Sequence, residues 1–131
     1  MRMATRGTFI QRVEKTIRDF EEDDRKLLRT LRTLKDRITK LEGRVARKKQ
    51  PRDLDELDFA IESLDQLTDS QILASKKAWK SYEEFERECD GQPSKLARLN
   101  ELQVVCKERE RIAADLLCYS LGHLKKEEAQ N

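Results

Sequence analysis

One helical stripe in the first third of the chain constrains its fold more than any other feature. Between Ile10 and Val45 a seam position recurs at alternating steps of three and four residues, without a slip. The seam positions are 10, 13, 17, 20, 24, 27, 31, 34, 38, 41 and 45. Ten of these eleven residues are apolar, and the exception is Asp24. A strict repeat of about 3.5 residues predicts one long helix whose narrow apolar stripe packs against other helices. At about 1.5 Å per residue this helix is roughly 50 Å long, which is too long for a compact globule of this size.

Two short breaks divide the chain into three helices. Thr8 and Gln11 match a capping box at the start of the first helix, and Pro51 ends that helix because proline cannot continue it. Asp53 is the predicted cap of the second helix, and the Asp-Gly-Gln-Pro segment at 90–93 predicts its end. The sequence therefore predicts one domain over 1–131, with helices over about 8–49, 53–89 and 94–126 and frayed tails at 1–7 and 127–131.

The second and third helices carry apolar side chains at similar spacing, which predicts seams that face the first helix. The second helix has a weaker, polar middle formed by Thr68, Gln71 and Ser75. Its predicted apolar seam residues are Leu54, Leu57, Ile61, Leu64, Ala78, Tyr82, Phe85 and Cys89. The third helix has a broader face, made of Leu96, Leu99, Leu102, Val105, Cys106, Ile112, Ala113, Leu116, Leu117, Leu121 and Leu124.

The short connections decide how these helices are arranged. Consecutive helices joined by short turns must lie antiparallel, so the predicted fold is all-α, an up-down-up antiparallel bundle of three long, coiled-coil-like helices. Large rings gather at one end of this bundle, where Phe9, Phe20, Trp79, Tyr82 and Phe85 predict an aromatic-rich core. If the breaks open, two copies exchange helices instead, which gives a helix-exchanged homodimer as the alternative.

The polar interruption of the first seam has predicted neighbours on both other helices. Aligning the helices at their breaks places Ser75 and Arg109 at the height of Asp24. Burying a lone carboxylate is costly, so we predict an ion pair between Asp24 and Arg109, with Ser75 or Gln71 supplying a hydrogen bond. We expect this layer, formed by Asp24, Ser75 and Arg109, to fix the register of the helices, as single polar seam residues do in some coiled coils.

Charge is segregated along the chain, although its net charge is only +2. Residues 25–52 contain twelve Lys or Arg against two acids, a net charge of +10, and residues 53–90 contain twelve acids against four bases, a net charge of −8. One interpretation is that the two stretches partly neutralise each other in a hairpin. The other is that the outside of the first helix stays positive and binds an acidic protein, a phospholipid surface or a nucleic acid. Candidate contact residues on that face are Arg29, Lys40, Arg44 and Arg47. A nucleic acid is the least favoured partner because residues 25–52 contain no aromatic side chain.

No residue pattern predicts catalysis, a metal site or a cofactor. His123 is the only histidine and lies five residues after Cys118, on another face of the helix, so we predict a surface imidazole and a core thiol. The four glycines form no phosphate-binding loop. Three cysteines without a CxxC pair favour a reducing, cytoplasmic location, and no apolar run approaches the roughly 20 residues that span a bilayer.

A short segment resembles a known helical family. Residues 91–93, Gly-Gln-Pro, followed by the Arg-Leu-Asn-Glu-Leu run at 98–102, resemble the turn into the last helix of a spectrin repeat. Trp79 in the middle helix and the long first helix depart from that family. In shape alone the predicted bundle is similar to BAG domains, which bind the nucleotide-binding domain of 70-kDa heat-shock chaperones, and to BAR domains, which bind curved anionic membranes.

These observations together predict a function based on binding. We expect a non-enzymatic protein-interaction or scaffolding module that serves as an adaptor or a chaperone cofactor and self-associates. The alternative is peripheral binding to anionic membranes through the basic half of the first helix.

Overall fold

The computed structural model of the protein contains three helices. It describes the backbone of residues 7–130 and the side chains of residues 7–123, and no strand occurs in that part of the chain. Helix α1 spans Phe9–Arg47, α2 spans Pro51–Cys89 and α3 spans Pro93–Gln130. Each helix contacts both of the others. The prediction of an all-α bundle of three helices is therefore confirmed. Residues 1–6 of the predicted first tail, and Asn131, lie outside the described residues.

The helix starts follow local capping chemistry. The hydroxyl of Thr8 accepts a hydrogen bond from the backbone N–H of Gln11 at 3.2 Å, and the Gln11 side chain accepts one from the Thr8 N–H at 3.0 Å, so the predicted capping box is present. Helix α2 begins two residues before the predicted cap: Gln50 is its N-cap and Pro51 lies in its first turn. Proline is favoured there because its missing N–H would have no helical partner in any case. Asp53 is thus a first-turn residue that complements the helix dipole, and the prediction of an Asp53 cap was wrong.

Helix α3 also differs from its predicted bounds. It begins at Pro93, before the predicted Ser94 cap, for the same reason as α2. It continues past the predicted end at Lys126 to Gln130, so most of the predicted tail at 127–131 is helical.

The apolar core is split into two clusters by a polar layer. The first cluster contains buried residues from the beginning of α1, the end of α2 and the beginning of α3: Phe9, Val13, Ala78, Cys89, Leu99, Leu102 and Cys106. The rings of Phe20, Trp79, Tyr82 and Phe85 pack around it, as the predicted aromatic end requires. The second cluster contains Leu31, Ile38, Leu41, Ala60, Leu64, Ile112 and Leu116. Asp24, Gln71 and Arg109 lie between the two clusters along their respective helices and are buried.

The predicted seams were assigned correctly for α1 and only in part for α2 and α3. Every seam residue of α1 is buried or half-buried. In contrast, Leu54 of α2 and Leu96, Leu117 and Leu121 of α3 are exposed. The apolar face of α3 is wider than the strip that two neighbouring helices can cover, so some of its leucines remain outside. The side chain of Leu124 lies outside the described residues.

Candidate interaction surfaces and the polar layer

The polar layer joins all three helices through one buried carboxylate. Arg109 Nε donates to Asp24 Oδ1 at 3.0 Å, and Gln71 Nε2 donates to the same oxygen at 3.3 Å. Asp24 is 6% exposed and Arg109 is 4% exposed. The structure thus brings Asp24 and Arg109 together in the ion pair that the aligned seams predict. The hydrogen bond comes from Gln71, while Ser75, the third predicted member, is buried one turn further along α2.

The guanidinium of Arg109 has further partners around the layer. Its Nη1 donates to the backbone oxygen of Ala74 at 3.4 Å, and its Nη2 lies 3.7 Å from Asp23 Oδ2. The guanidinium also stacks on Phe20, 4.2 Å from the ring centroid. A planar group with five N–H donors can meet a carboxylate, a carbonyl and a ring at once, which lysine cannot do. The layer therefore compensates its buried charge and links α1, α2 and α3 at one height.

The outside of α1 carries exposed cations between Arg25 and Arg47. We call Arg25, Arg29, Arg32, Lys40, Arg44 and Arg47 the basic face, and all six are exposed. Four of them, Arg29, Lys40, Arg44 and Arg47, are the contact residues predicted from the sequence. Among the described side chains, no ion pair within 4.0 Å joins the basic face to the acids at 53–69 of α2. The nearby pairs, Lys26 with Glu22 and Arg52 with Glu56, each form within one helical turn. Within the described part of the chain, the basic face is therefore not neutralised by direct ion pairs with α2.

The outside of α2 carries a second repeat that the sequence analysis missed. Exposed residues follow one another at steps of four and three along a single line, and we call them the acidic stripe: Asp55, Phe59, Glu62, Gln66, Asp69 and Leu73. Phe59 is 67% exposed and Leu73 is 53% exposed. The signal that could have found this stripe is the presence of two large apolar residues, Phe59 and Leu73, on the side of α2 opposite its predicted seam. A helix face with this spacing has the geometry that another helix can pack against.

Two sequence predictions about chemistry were wrong. His123 is buried, with Nδ1 3.2 Å from Glu42 Oε2 and its ring edge-on to Tyr119 at a centroid distance of 4.5 Å. Cys118, the predicted core thiol, is exposed. The rotation of α3 explains both errors: Leu116, Ser120 and His123 lie on its inner side, which turns Cys118 outward.

The three thiols are expected to react at very different rates. Cys89 and Cys106 are buried, and burial raises the pKa of Cys106 from 9.0 to about 11. The Cys106 Sγ also donates a hydrogen bond to the backbone oxygen of Ala78 at 3.4 Å. The thiolate is the reactive form, so burial and the raised pKa both slow the reaction of Cys106. We expect a thiol reagent to modify one cysteine per chain rapidly and the other two only after unfolding.

This rate difference can be measured by following thiol modification by absorbance in native buffer and again in urea. Cys118→Ser is the matched control, since it should remove the fast phase and leave the slow one. Two or more fast thiols per native chain would contradict the buried position of Cys89 and Cys106.

Comparison with known proteins found no match: no protein-family model, curated protein or solved structure resembles this chain significantly. Within the described residues, none of the helices has the length and apolarity required to cross a membrane. The same residues contain no group of three or more His, Cys, Asp or Glu side chains arranged to hold a metal ion.

Proposed function

We propose that this chain is a non-enzymatic protein-interaction module, an antiparallel coiled-coil bundle that acts as a scaffold or adaptor. The observation that carries the proposal is the acidic stripe of α2. It places two large apolar side chains, Phe59 and Leu73, in an exposed position among carboxylates on the side of α2 that faces away from the bundle. A helix that has one seam packed inside the bundle and a second one outside can bind a further helix.

The antiparallel arrangement is supported by contacts that run in opposite directions along neighbouring helices. Near the start of α1, Arg12 forms an ion pair with Glu88 at 2.7 Å, near the end of α2. Further along α1, Asp24 accepts its hydrogen bond from Gln71, which lies earlier in α2. The same reversal relates α2 to α3. Cys106 donates a hydrogen bond to Ala78, whereas Ser120, further along α3, donates one to Asp65, which lies nearer the start of α2. These contacts favour an up-down-up order.

The composition of the acidic stripe favours a protein partner. Phe59 and Leu73 are large apolar side chains in water, and covering apolar surface is favourable by about 25 cal/mol per Å². Aromatic side chains are also frequent among the residues that dominate binding energy in interfaces. The carboxylates of Asp55, Glu62 and Asp69 flank these two apolar side chains, so they would select a partner surface that carries positive charge.

We expect a double variant, Phe59→Ser with Leu73→Ser, to lose a specific protein partner without losing its fold. Both side chains are exposed, so circular dichroism should be unchanged. Tagged wild-type chain and the variant are incubated with extract of the source cells, and captured proteins, including untagged copies of the chain itself, are quantified by mass spectrometry.

Val104→Ser is the matched control for this capture, since Val104 lies on α3 and is 66% exposed. The control should retain any protein that the double variant loses. If wild type and double variant capture the same proteins in the same amounts, the acidic stripe is not a binding surface and the proposal is wrong.

Peripheral binding to anionic membranes is a second candidate, favoured by the lack of described ion pairs between the basic face and α2. Binding through charge alone should appear as co-sedimentation with phosphatidylserine vesicles at about 50 mM salt and disappear at about 500 mM salt.

A chaperone-cofactor role and a cytoplasmic location complete the proposal. The location is supported by the three free thiols, which suit a reducing compartment.

A further inference from the structure

We propose that the partner of the acidic stripe is a second copy of this chain, and that the basic face of each copy packs against the acidic stripe of the other. The inference rests on the proposed function. That function assigns an unidentified protein partner to the acidic stripe of α2, and the inference identifies this partner. The first supporting observation is that the two surfaces carry opposite charge. The chain exposes a row of cations on α1 and a row of carboxylates on α2, and within the described residues the two rows form no ion pair with each other.

The two surfaces lie at the same level of the molecule. Leu31, Ile38 and Leu41 of α1 share a core cluster with Ala60 and Leu64 of α2, so the basic half of α1 runs beside the acidic half of α2. A pair of copies related by a two-fold axis parallel to the helices therefore places α1 of one copy against α2 of the other at matching heights. Positive charge then faces negative charge along both contacts.

A two-fold axis perpendicular to the helices would place α1 against α1 and α2 against α2. Because this axis also reverses the heights, each basic face opposes the other only when the axis passes through the basic half of α1, whereas the parallel axis sets opposite charges against each other along both rows.

The apolar residues of the acidic stripe fit the same partner. Phe59 is an exposed ring that arginine side chains can cover, with their aliphatic stems against the ring edge and a guanidinium over its face. The chain already uses this contact inside the bundle, where Arg109 stacks on Phe20. A membrane surface fits less well, because Asp55, Glu62 and Asp69 would repel anionic lipid headgroups from the side of the molecule that carries Phe59 and Leu73.

Two charge-reversal variants test the pairing. The first replaces two cations of the basic face, Arg29→Glu with Lys40→Glu, and the second replaces two acids of the acidic stripe, Asp55→Lys with Glu62→Lys. No described ion pair involves any of these four residues, so each variant should keep the fold, as circular dichroism checks. Sedimentation equilibrium of the full chain is measured at about 50 mM and about 500 mM salt.

We expect wild type to dimerise at low salt and each variant alone to show a dissociation constant at least about tenfold higher. An equimolar mixture of the two variants should dimerise more tightly than either variant alone, because the unchanged acidic stripe of the first variant can pack against the unchanged basic face of the second. The matched control, Arg87→Glu with Lys107→Glu, changes the net charge as much as the first variant but lies outside both surfaces, and it should dimerise like wild type.

Several outcomes would overturn the inference. They are a wild type that stays monomeric at every concentration and salt, variants that dimerise as wild type does, and a mixture that dimerises no more tightly than either variant alone. A monomeric wild type that co-sediments with phosphatidylserine vesicles only while Arg29 and Lys40 are present would assign the basic face to membranes instead. If the chain is monomeric but capture from extract still requires Phe59 and Leu73, only the second-copy partner is wrong. If capture is also indifferent to those residues, the proposed function fails as well.

Discussion

Replacing Arg109 by leucine is expected to lower the free energy of unfolding by about 3–5 kcal/mol, because it leaves a buried carboxylate without its counter-ion. Asp24 would keep only the hydrogen bond from Gln71, and the guanidinium contacts with Ala74 and Phe20 would be lost. Urea unfolding followed by the fluorescence of Trp79, the single tryptophan, measures the change. The midpoint should fall while the slope stays the same, since the surface exposed on unfolding hardly changes.

Two further variants show whether the stability is lost because a buried charge is left unpaired or because an ion pair as such is removed. Arg111→Leu is the matched control on the same helix: Arg111 binds Glu108 at 2.6 Å and Asp115 at 2.7 Å, but all three side chains are exposed. Its loss should cost less than about 1 kcal/mol. The double variant Asp24→Leu with Arg109→Leu removes both buried charges, and its stability should return to near that of wild type or exceed it. Equal losses for Arg109→Leu and Arg111→Leu would show that burial of the pair has no energetic consequence.

The double variant also tests whether the polar layer fixes the register. If it does, the apolar replacement stabilises more than one alignment of the seams, and the amide spectrum should show additional peaks or broadening. A single set of sharp amide resonances in the double variant would mean that the apolar seams and the short turns set the register without the layer.

The Asp24 and Arg109 pair could be predicted from the sequence because two strong constraints act on it. The breaks near Pro51 and Gly91 fix which heights of the helices are adjacent, and a carboxylate in an apolar seam requires a partner at its own height. The seam of α1 is equally determined, since a narrow stripe on a long helix leaves one inward orientation. Local sequence and elementary electrostatics are sufficient for these features.

The orientation of α3 could not be predicted in the same way. Its apolar residues cover a wide arc, so spacing alone permits several rotations about the helix axis. Packing against two neighbours selects the one that buries His123 and exposes Cys118, Leu117 and Leu121. The acidic stripe was missed for a different reason: Phe59 and Leu73 stand outside the predicted seam of α2, about four turns apart among polar residues, so no continuous apolar pattern marks them.

Shortening a core side chain on either side of the polar layer is the other change with a large expected effect. Leu102 is fully buried in the cluster at the aromatic end, and Leu64 is fully buried in the second cluster. We expect Leu102→Ala to lower the free energy of unfolding by about 2–5 kcal/mol, from lost apolar contacts and the cavity that remains. Val104→Ala, two residues along α3 at a 66% exposed site, is the matched control and should change stability by less than about 0.5 kcal/mol.

The comparison of Leu102→Ala with Leu64→Ala shows whether the polar layer divides the bundle energetically. The two leucines belong to different clusters, so their losses should add in the double variant. The layer links all three helices, and the chain should therefore still unfold in one transition, with fluorescence and circular dichroism coinciding. Separate transitions by the two probes would instead mean that the Arg109 contacts are too weak to couple the aromatic end, which contains Trp79, to the rest of the bundle.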